Sequence, residues 1–76
     1  MNAERRKRLS SALEKLEEVK CELEEIRDEE QGAYDNMPES LQESERGETI
    51  ANNAESLDNA IGSLDECIEY INEIEL

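Results

Sequence analysis

Apolar residues return at alternating steps of three and four along two long stretches of this 76-residue chain. The first series runs from Leu9 to Met37 and is interrupted at Glu30, and the second runs from Ile50 to Ile71 before it meets Glu75. An average spacing of about 3.5 residues is typical of helices packed as a coiled coil. Disordered acidic chains do not keep such a pattern. The repeat therefore predicts an all-α fold built on two helices.

The two series define the apolar edges along which the helices should meet. On helix 1 the steps predict an edge made of Leu9, Ala12, Leu16, Val19, Leu23, Ile26, Glu30, Ala33 and Met37. On helix 2 they predict an edge made of Ile50, Ala54, Leu57, Ile61, Leu64, Ile68 and Ile71. Glu30 either sits where the helices diverge or is a buried polar residue that fixes their register.

The apolar surface is wider than one edge on each helix. Leu13 flanks the first edge, and Ala60, Cys67 and Ile74 form a second ridge on helix 2. Because a wide apolar face needs more than one neighbour, we expect a two-fold homodimer in which two hairpins form a four-helix bundle. A different partner that supplies the missing helices is the alternative. The predicted core or dimer seam comprises Leu9, Leu13, Leu16, Val19, Leu23, Ile26, Ile50, Leu57, Ile61, Leu64, Ile68, Ile71 and Ile74.

The segment AYDNMPESLQESERG, residues 33–47, separates the two series and contains the only proline. Pro38 has no N–H and disfavours the helical conformation at Met37, so helix 1 should end near residues 35–36. PESLQE then suits a short helical turn. We expect Tyr34, Met37 and Leu41 to fold back over this end of the hairpin, although an organised loop could instead be a recognition surface. The predicted corner residues are Tyr34, Met37, Pro38, Leu41 and Gly47.

The sequence predicts one domain over residues 1–76, an antiparallel two-helix hairpin. Helix 1 is expected over about 3–35, the corner over 36–44, and helix 2 over about 45–74, in a register that pairs residues whose numbers add to about 83. Ser44 is the candidate N-cap of helix 2. Helix 1 could begin near Asn2, or later with Ser11 and Glu14 as a capping box. Gly62 is either a tolerated surface glycine or a point of close helix approach.

Charge is abundant and uneven, with 22 acidic and 8 basic residues and a net charge of −14. Residues 1–8 hold four basic residues and one acidic residue, which leaves a charge of −17 on residues 9–76. Such a body repels nucleic acid and anionic membranes and favours basic protein surfaces. The candidate acidic partner surface comprises Glu17, Glu18, Glu22, Glu25, Asp28, Glu29, Asp58, Asp65, Glu66 and Glu69.

The basic cluster Arg5–Arg8 is expected beside the acidic carboxyl end of helix 2, near Glu69, Glu73 and Glu75. There it would complement the negative end of the helix dipole. The alternative, a nucleic-acid patch, lacks interleaved aromatic residues.

The residue types that carry most protein chemistry are missing. The sequence has no histidine, the commonest general base and transition-metal ligand. Cys21 is expected as an exposed thiol and Cys67 as a small buried hydrophobe, too far apart along the rod for a disulfide. A calcium loop starting at Asp35 fails because its sixth residue is Ser40 rather than glycine. We predict no catalytic, cofactor or metal residues, and a protein that is not an enzyme. With no signal peptide or membrane span apparent, we expect a soluble, intracellular protein.

The segment LEEIRDEEQGAYDNMPESLQESERGE, residues 23–48, resembles a stretch found in small acidic helical proteins of bacteria, phages and prophages. In those proteins an AYDN-x-PE-x-LQ-x-SERGE segment joins two helices rich in Leu, Ile and Glu. The resemblance implies a phage, prophage or mobile-element lineage, and with it a cytoplasmic location in a bacterial host cell. It implies no activity.

Two functions are compatible with these features. The first is an acidic interaction protein that binds or inhibits a basic surface of a host or defence protein, in one version as a DNA mimic. The second is a structural or adaptor bundle in a phage particle or larger assembly, whose acids only keep it soluble. Salt should distinguish them, because screening weakens charge contacts and not apolar ones.

Overall fold

A computed structural model describes residues 1–75 and shows an all-α helical hairpin, as the repeat predicts. Its elements are α1 (Ala3–Asp35), the short α2 (Glu39–Gln42) and α3 (Glu45–Asn72). The two long helices pack antiparallel, and α2 lies against α3 at the corner. The result is a narrow rod whose Cα atoms extend over 58 × 15 × 12 Å.

Polar caps set where the two long helices begin. The Asn2 side chain accepts a hydrogen bond from the Arg5 N–H at 2.8 Å, so α1 starts at the earlier of the two predicted positions. The Ser44 hydroxyl accepts from the Gly47 N–H at 3.4 Å and caps α3 as predicted. Glu45 follows in the first turn of α3, where negative charge is favourable.

The corner is held by hydrogen bonds around Pro38. Its carbonyl accepts from the N–H groups of Leu41 and Gln42 at 2.9 and 3.0 Å, which closes the single turn of α2. The Gln42 side-chain amide then donates to the Tyr34 carbonyl at 2.9 Å and ties α2 to the end of α1. Leu41 does not fold back as expected, since 47% of it remains exposed. A one-turn helix ends too soon to carry that side chain onto the rod.

Gly47 is the glycine that the fold requires. It is buried in the first turn of α3, and a Cβ placed there would collide with backbone carbonyls of α2, lying 2.6 Å from the Gln42 carbonyl carbon. Gly32 and Gly62 have open space where a Cβ would lie. Gly62 therefore does not mark a close approach between the helices of one hairpin.

The seam between α1 and α3 differs from the predicted edge of α1. The half-buried residues of α1 that follow the 4-3 spacing are Leu9, Leu13, Leu16, Lys20, Leu23, Arg27, Glu30 and Tyr34. Leu13, Lys20, Arg27 and Tyr34 thus take the places expected for Ala12, Val19, Ile26 and Ala33. Each lies one residue further along the chain, a rotation of about 100° around the helix. Val19 and Ile26 are left 46% and 42% exposed.

The hairpin has little core of its own. Among the described apolar residues only Ala54 and Ile61, both on α3, are buried. The other seam residues of α3 are half-buried, namely Ile50, Leu57, Leu64, Ile68 and Ile71. The antiparallel register is close to the prediction, because the pairs Lys20–Asp65, Arg27–Asp58 and Glu30–Asn53 follow it within two residues.

The steric role of Gly47 is testable with a matched pair of glycine substitutions. Gly47→Ala should lower the free energy of unfolding by about 1–3 kcal/mol, because backbone atoms of α2 must move to admit the methyl group. Gly62→Ala should raise it by up to about 1 kcal/mol through helix propensity. Urea unfolding followed by circular dichroism at one protein concentration compares the two. Equal stability of Gly47→Ala and wild type would contradict the close approach.

Candidate interaction surfaces

The two long sides of the hairpin differ in chemistry. On one side, which we call the charged side, two cations of α1 reach carboxylates of α3. Lys20 Nζ lies 2.5 Å from Asp65 Oδ1, and Arg27 Nη1 lies 3.0 Å from Asp58 Oδ1. Arg27 also contacts the neighbouring Asp28 at 3.1 Å. Long aliphatic stems let Lys and Arg occupy a seam position while their charged groups reach its edge.

These contacts shift the protonation equilibria of both cations in the same direction. The hydrogen bond to Asp65 raises the pKa of the Lys20 ammonium above its ordinary value, more than partial desolvation lowers it. Hydrogen bonds to Asp58 and then Asp28 likewise raise the pKa of the Arg27 guanidinium. Both groups are solvated, so each pair contributes little to the free energy of unfolding.

The opposite side, which we call the apolar side, carries the residues that the seam leaves out. Each precedes a seam position by one residue, and in an antiparallel pair such residues of both helices line the same flank. Ala12 and Ile74 accordingly border one surface hollow at the open end of the rod. The row on α1 is Ala12, Val19, Ile26 and Ala33. The row on α3 is Asn53, Ala60 and Cys67, continued by Ile74 just beyond the end of α3, and all eight residues are exposed.

On α1, the apolar side is formed by the exposed row and by the alternate seam residues that border it. Glu30 is the one charged residue among these between Leu9 and Ala33. Its Oε2 accepts a hydrogen bond from Asn53 Nδ2 at 3.1 Å across the two helices. The interruption in the apolar repeat therefore coincides with a polar contact between the helices, of the kind that can fix register.

The two cysteines are both exposed free thiols. Cys21 lies on the outer surface of α1 as expected. The expectation of a buried Cys67 is wrong, because Cys67 belongs to the apolar side and nothing in the hairpin covers it.

The predicted acidic surface divides into three parts. Asp58 and Asp65 are engaged in the ion pairs of the charged side, and Glu66 and Glu69 border a small hollow on α3. The largest part is on the outer surface of α1, where four of the predicted residues line one broad, open hollow together with Glu14 and Cys21. These four are Glu17, Glu18, Glu22 and Glu25. Asp28 and Glu29 are exposed further along the same helix.

The basic cluster lies at the open end of the rod, level with the carboxyl end of α3. Arg5 and Arg8 border the same hollow as Ala12 and Ile74, next to the apolar side. Arg6 borders a second hollow with Ile71, on the other flank. Within residues 1–75, no ion pair joins Arg5, Lys7 or Arg8 to the expected carboxylates of α3, which are Glu69, Glu73 and Glu75.

Residues 1–75 contain no group of three or more Asp, Glu or Cys placed to hold a metal ion. No helix within them combines the length and apolar character needed to cross a membrane. Comparison with protein-family models, curated proteins and solved structures found no match. The features that suggest a function are therefore the charged side, the apolar side and the outer surface of α1.

The contribution of the Lys20–Asp65 pair is testable through pH. Because the folded-state pKa of Lys20 is raised, its stabilisation is complete at neutral pH and is lost as pH rises above its ordinary value of 10.5. Lys20→Arg keeps its charge there. Between about pH 9 and about pH 12, wild type should lose more thermal stability than Lys20→Arg, since all other titrating groups are shared. Identical curves would show that the pair contributes nothing.

Proposed function

We propose that this chain is a non-enzymatic, acidic protein-interaction module that binds or inhibits a basic surface of a protein partner, and that it acts as a homodimer. The observation that supports this most is the outer surface of α1, where five glutamates border one open hollow. None of these side chains is used to pack the hairpin.

The positions of the basic residues also support this proposal. Of the four cations that follow residue 8, Lys20 and Arg27 lie in the seam between the helices and are engaged with aspartates. The outer surface of α1 therefore keeps most of its negative charge. A concentrated field of one sign speeds the approach of an oppositely charged partner and repels nucleic acid.

The lineage implied by the segment at residues 23–48 points to a host or defence protein as the target. DNA mimicry is one version of this function, because carboxylates repeated along a straight rod can occupy a groove that accepts phosphates. The rod is 58 Å long, which is enough to present such a row over several helical turns.

A structural or adaptor role in a phage particle or larger assembly is the second candidate. The exposure of Val19, Ile26 and Ile74 favours it, because contiguous apolar residues on a surface mark an assembly contact. In that case the glutamates contribute solubility alone.

A capture experiment separates the two candidates. Tagged protein is used to retrieve partners from a bacterial lysate over a series of salt concentrations, and retained proteins are identified by mass spectrometry. We expect a basic protein that is retained at low salt and lost steeply as salt rises. Retention of a partner that is indifferent to salt would favour the assembly role, and failure to capture any basic protein would contradict the proposed function.

A matched pair of variants locates the contact. Replacing Glu17, Glu18, Glu22 and Glu25 with glutamine should release the captured protein at a lower salt concentration. The control replaces four exposed glutamates elsewhere, Glu45, Glu48, Glu55 and Glu73, and removes the same charge. If both variants weaken capture equally, net charge and not the α1 surface is responsible. Competition by duplex DNA for the captured protein would support mimicry.

A further inference from the structure

We propose that the apolar side is covered by a second copy of this chain lying face to face and end to end, so that the corner of each hairpin lies at the open end of the other. This inference deepens the dimer included in the proposed function, because it assigns the interface, the orientation of the copies and a role for the basic cluster.

The hairpin leaves more surface exposed than a compact chain of its size. It exposes 5858 Å², whereas a compact monomer of the same mass exposes about 4,700 Å². The apolar side extends over about 36 Å from Leu9 to Ala33 and is two helices wide, which amounts to roughly 700 Å² in each copy. Two such faces together amount to about 1,400 Å², which lies within the roughly 1,200–2,000 Å² buried in stable protein complexes.

The composition of the face favours another copy as its occupant. The row on α1 reads Ala, Val, Ile, Ala, with small residues at both ends and large residues in the middle. Read in the opposite direction, the row has the same order of residue sizes. A two-fold axis across the rod sets α1 of one copy antiparallel on α1 of the other, which brings Val19 level with Ile26 and Ala12 level with Ala33.

The row on α3 is centred at the same level along the rod as the row on α1. The middle of the α3 row falls between Ala60 and Cys67, whereas the middle of the α1 row falls between Val19 and Ile26. The ion pairs Lys20–Asp65 and Arg27–Asp58 show that these two points lie level in the hairpin. One axis can therefore centre both rows at once, as a closed two-fold contact requires.

Charge complementarity selects the end-to-end orientation. Arg5 and Arg8 rim the apolar side at the open end, and full overlap sets them beside the corner of the second copy, where Glu39 and Glu43 are exposed. Glu30, the charged residue of the face, comes level with Lys15 of the second copy. If both corners lay at one end, the two basic clusters would instead be brought together and repel each other.

The first test is the mass of the purified full chain by sedimentation equilibrium. We expect twice the chain mass of 8.7 kDa. Val19→Glu combined with Ile26→Glu should weaken association by at least about 100-fold, because a dimer would bury unpaired charges. The control, Ser11→Glu with Asn59→Glu, adds the same charge at exposed positions outside the face and should remain dimeric. A helical monomer of the wild-type chain, or an unchanged mass in the Val19/Ile26 variant, would overturn the proposal.

The second test reads orientation and does not depend on a disruptive variant. In a background with Cys21→Ser and Cys67→Ser, single cysteines are placed as Ala12→Cys and Ala33→Cys. A short bismaleimide should join the two proteins when they are mixed, and should join neither efficiently to itself. Cross-linking of Ala12→Cys to Ile74→Cys in its place would show that both corners lie at one end, and would overturn the proposed orientation.

Failure of this inference is distinguishable from failure of the proposed function. The four-glutamine variant of the α1 surface should still sediment as a dimer, because it leaves Val19 and Ile26 in place and adds no charge to the apolar side. A chain that captures a basic partner yet sediments as a monomer would overturn the dimer alone. A dimer without any salt-sensitive partner would overturn the function alone.

Discussion

The rotation of α1 about its own axis is the constraint on which the rest of the structure depends. Lys20 and Arg27 turn toward α3 and meet Asp65 and Asp58, so the strongest apolar edge of α1 cannot face the same way. Leu9, Leu16 and Leu23 lie on the boundary, half-buried in the seam and bordering the apolar side. In this orientation of α1 the two ion pairs form, and Val19 and Ile26 remain exposed to water.

The sequence was sufficient to predict the outline of the hairpin. A repeat of 3.5 residues identifies two helices, Pro38 marks the end of α1, and Ser44 caps α3. These features are local, since each depends on residues within a few positions of one another. The antiparallel register followed from the matching lengths of the two helices and the position of the corner between them.

The features that the sequence did not predict depend on residues far apart in the chain. The repeat of apolar residues describes where hydrophobic side chains lie on α1, and not which of two adjacent edges α3 will cover. That choice depends on aspartates 31 and 45 residues away along the chain. The bond from Gln42 to the Tyr34 carbonyl and the carbonyls that surround Gly47 depend likewise on the path of the corner. A Lys or Arg in an apolar series reads as a break in the pattern, although its stem can pack in a seam.

The same rotation separates the two kinds of surface. Acidic residues collect on the outer surface of α1, and uncharged residues collect on the side that the seam leaves open. A contact on the apolar side therefore need not bury the carboxylates, so association and partner binding can occur together. In the proposed dimer the two acidic surfaces face away from each other, so that a partner with two basic sites could be held with an effective concentration set by one rigid rod.

In the proposed dimer, folding and association are coupled, because the hairpin itself buries only two apolar side chains among the described residues. Ala54 and Ile61 are 3% and 6% exposed, and the remaining seam residues gain only part of the burial available to them. Domains of this size usually need a further source of stability, such as a disulfide, a metal ion or oligomerisation. Cys21 and Cys67 are free thiols, and residues 1–75 offer no metal-binding group. In the proposed dimer, covering the apolar side supplies such a source, and the stability of the hairpin then depends on protein concentration.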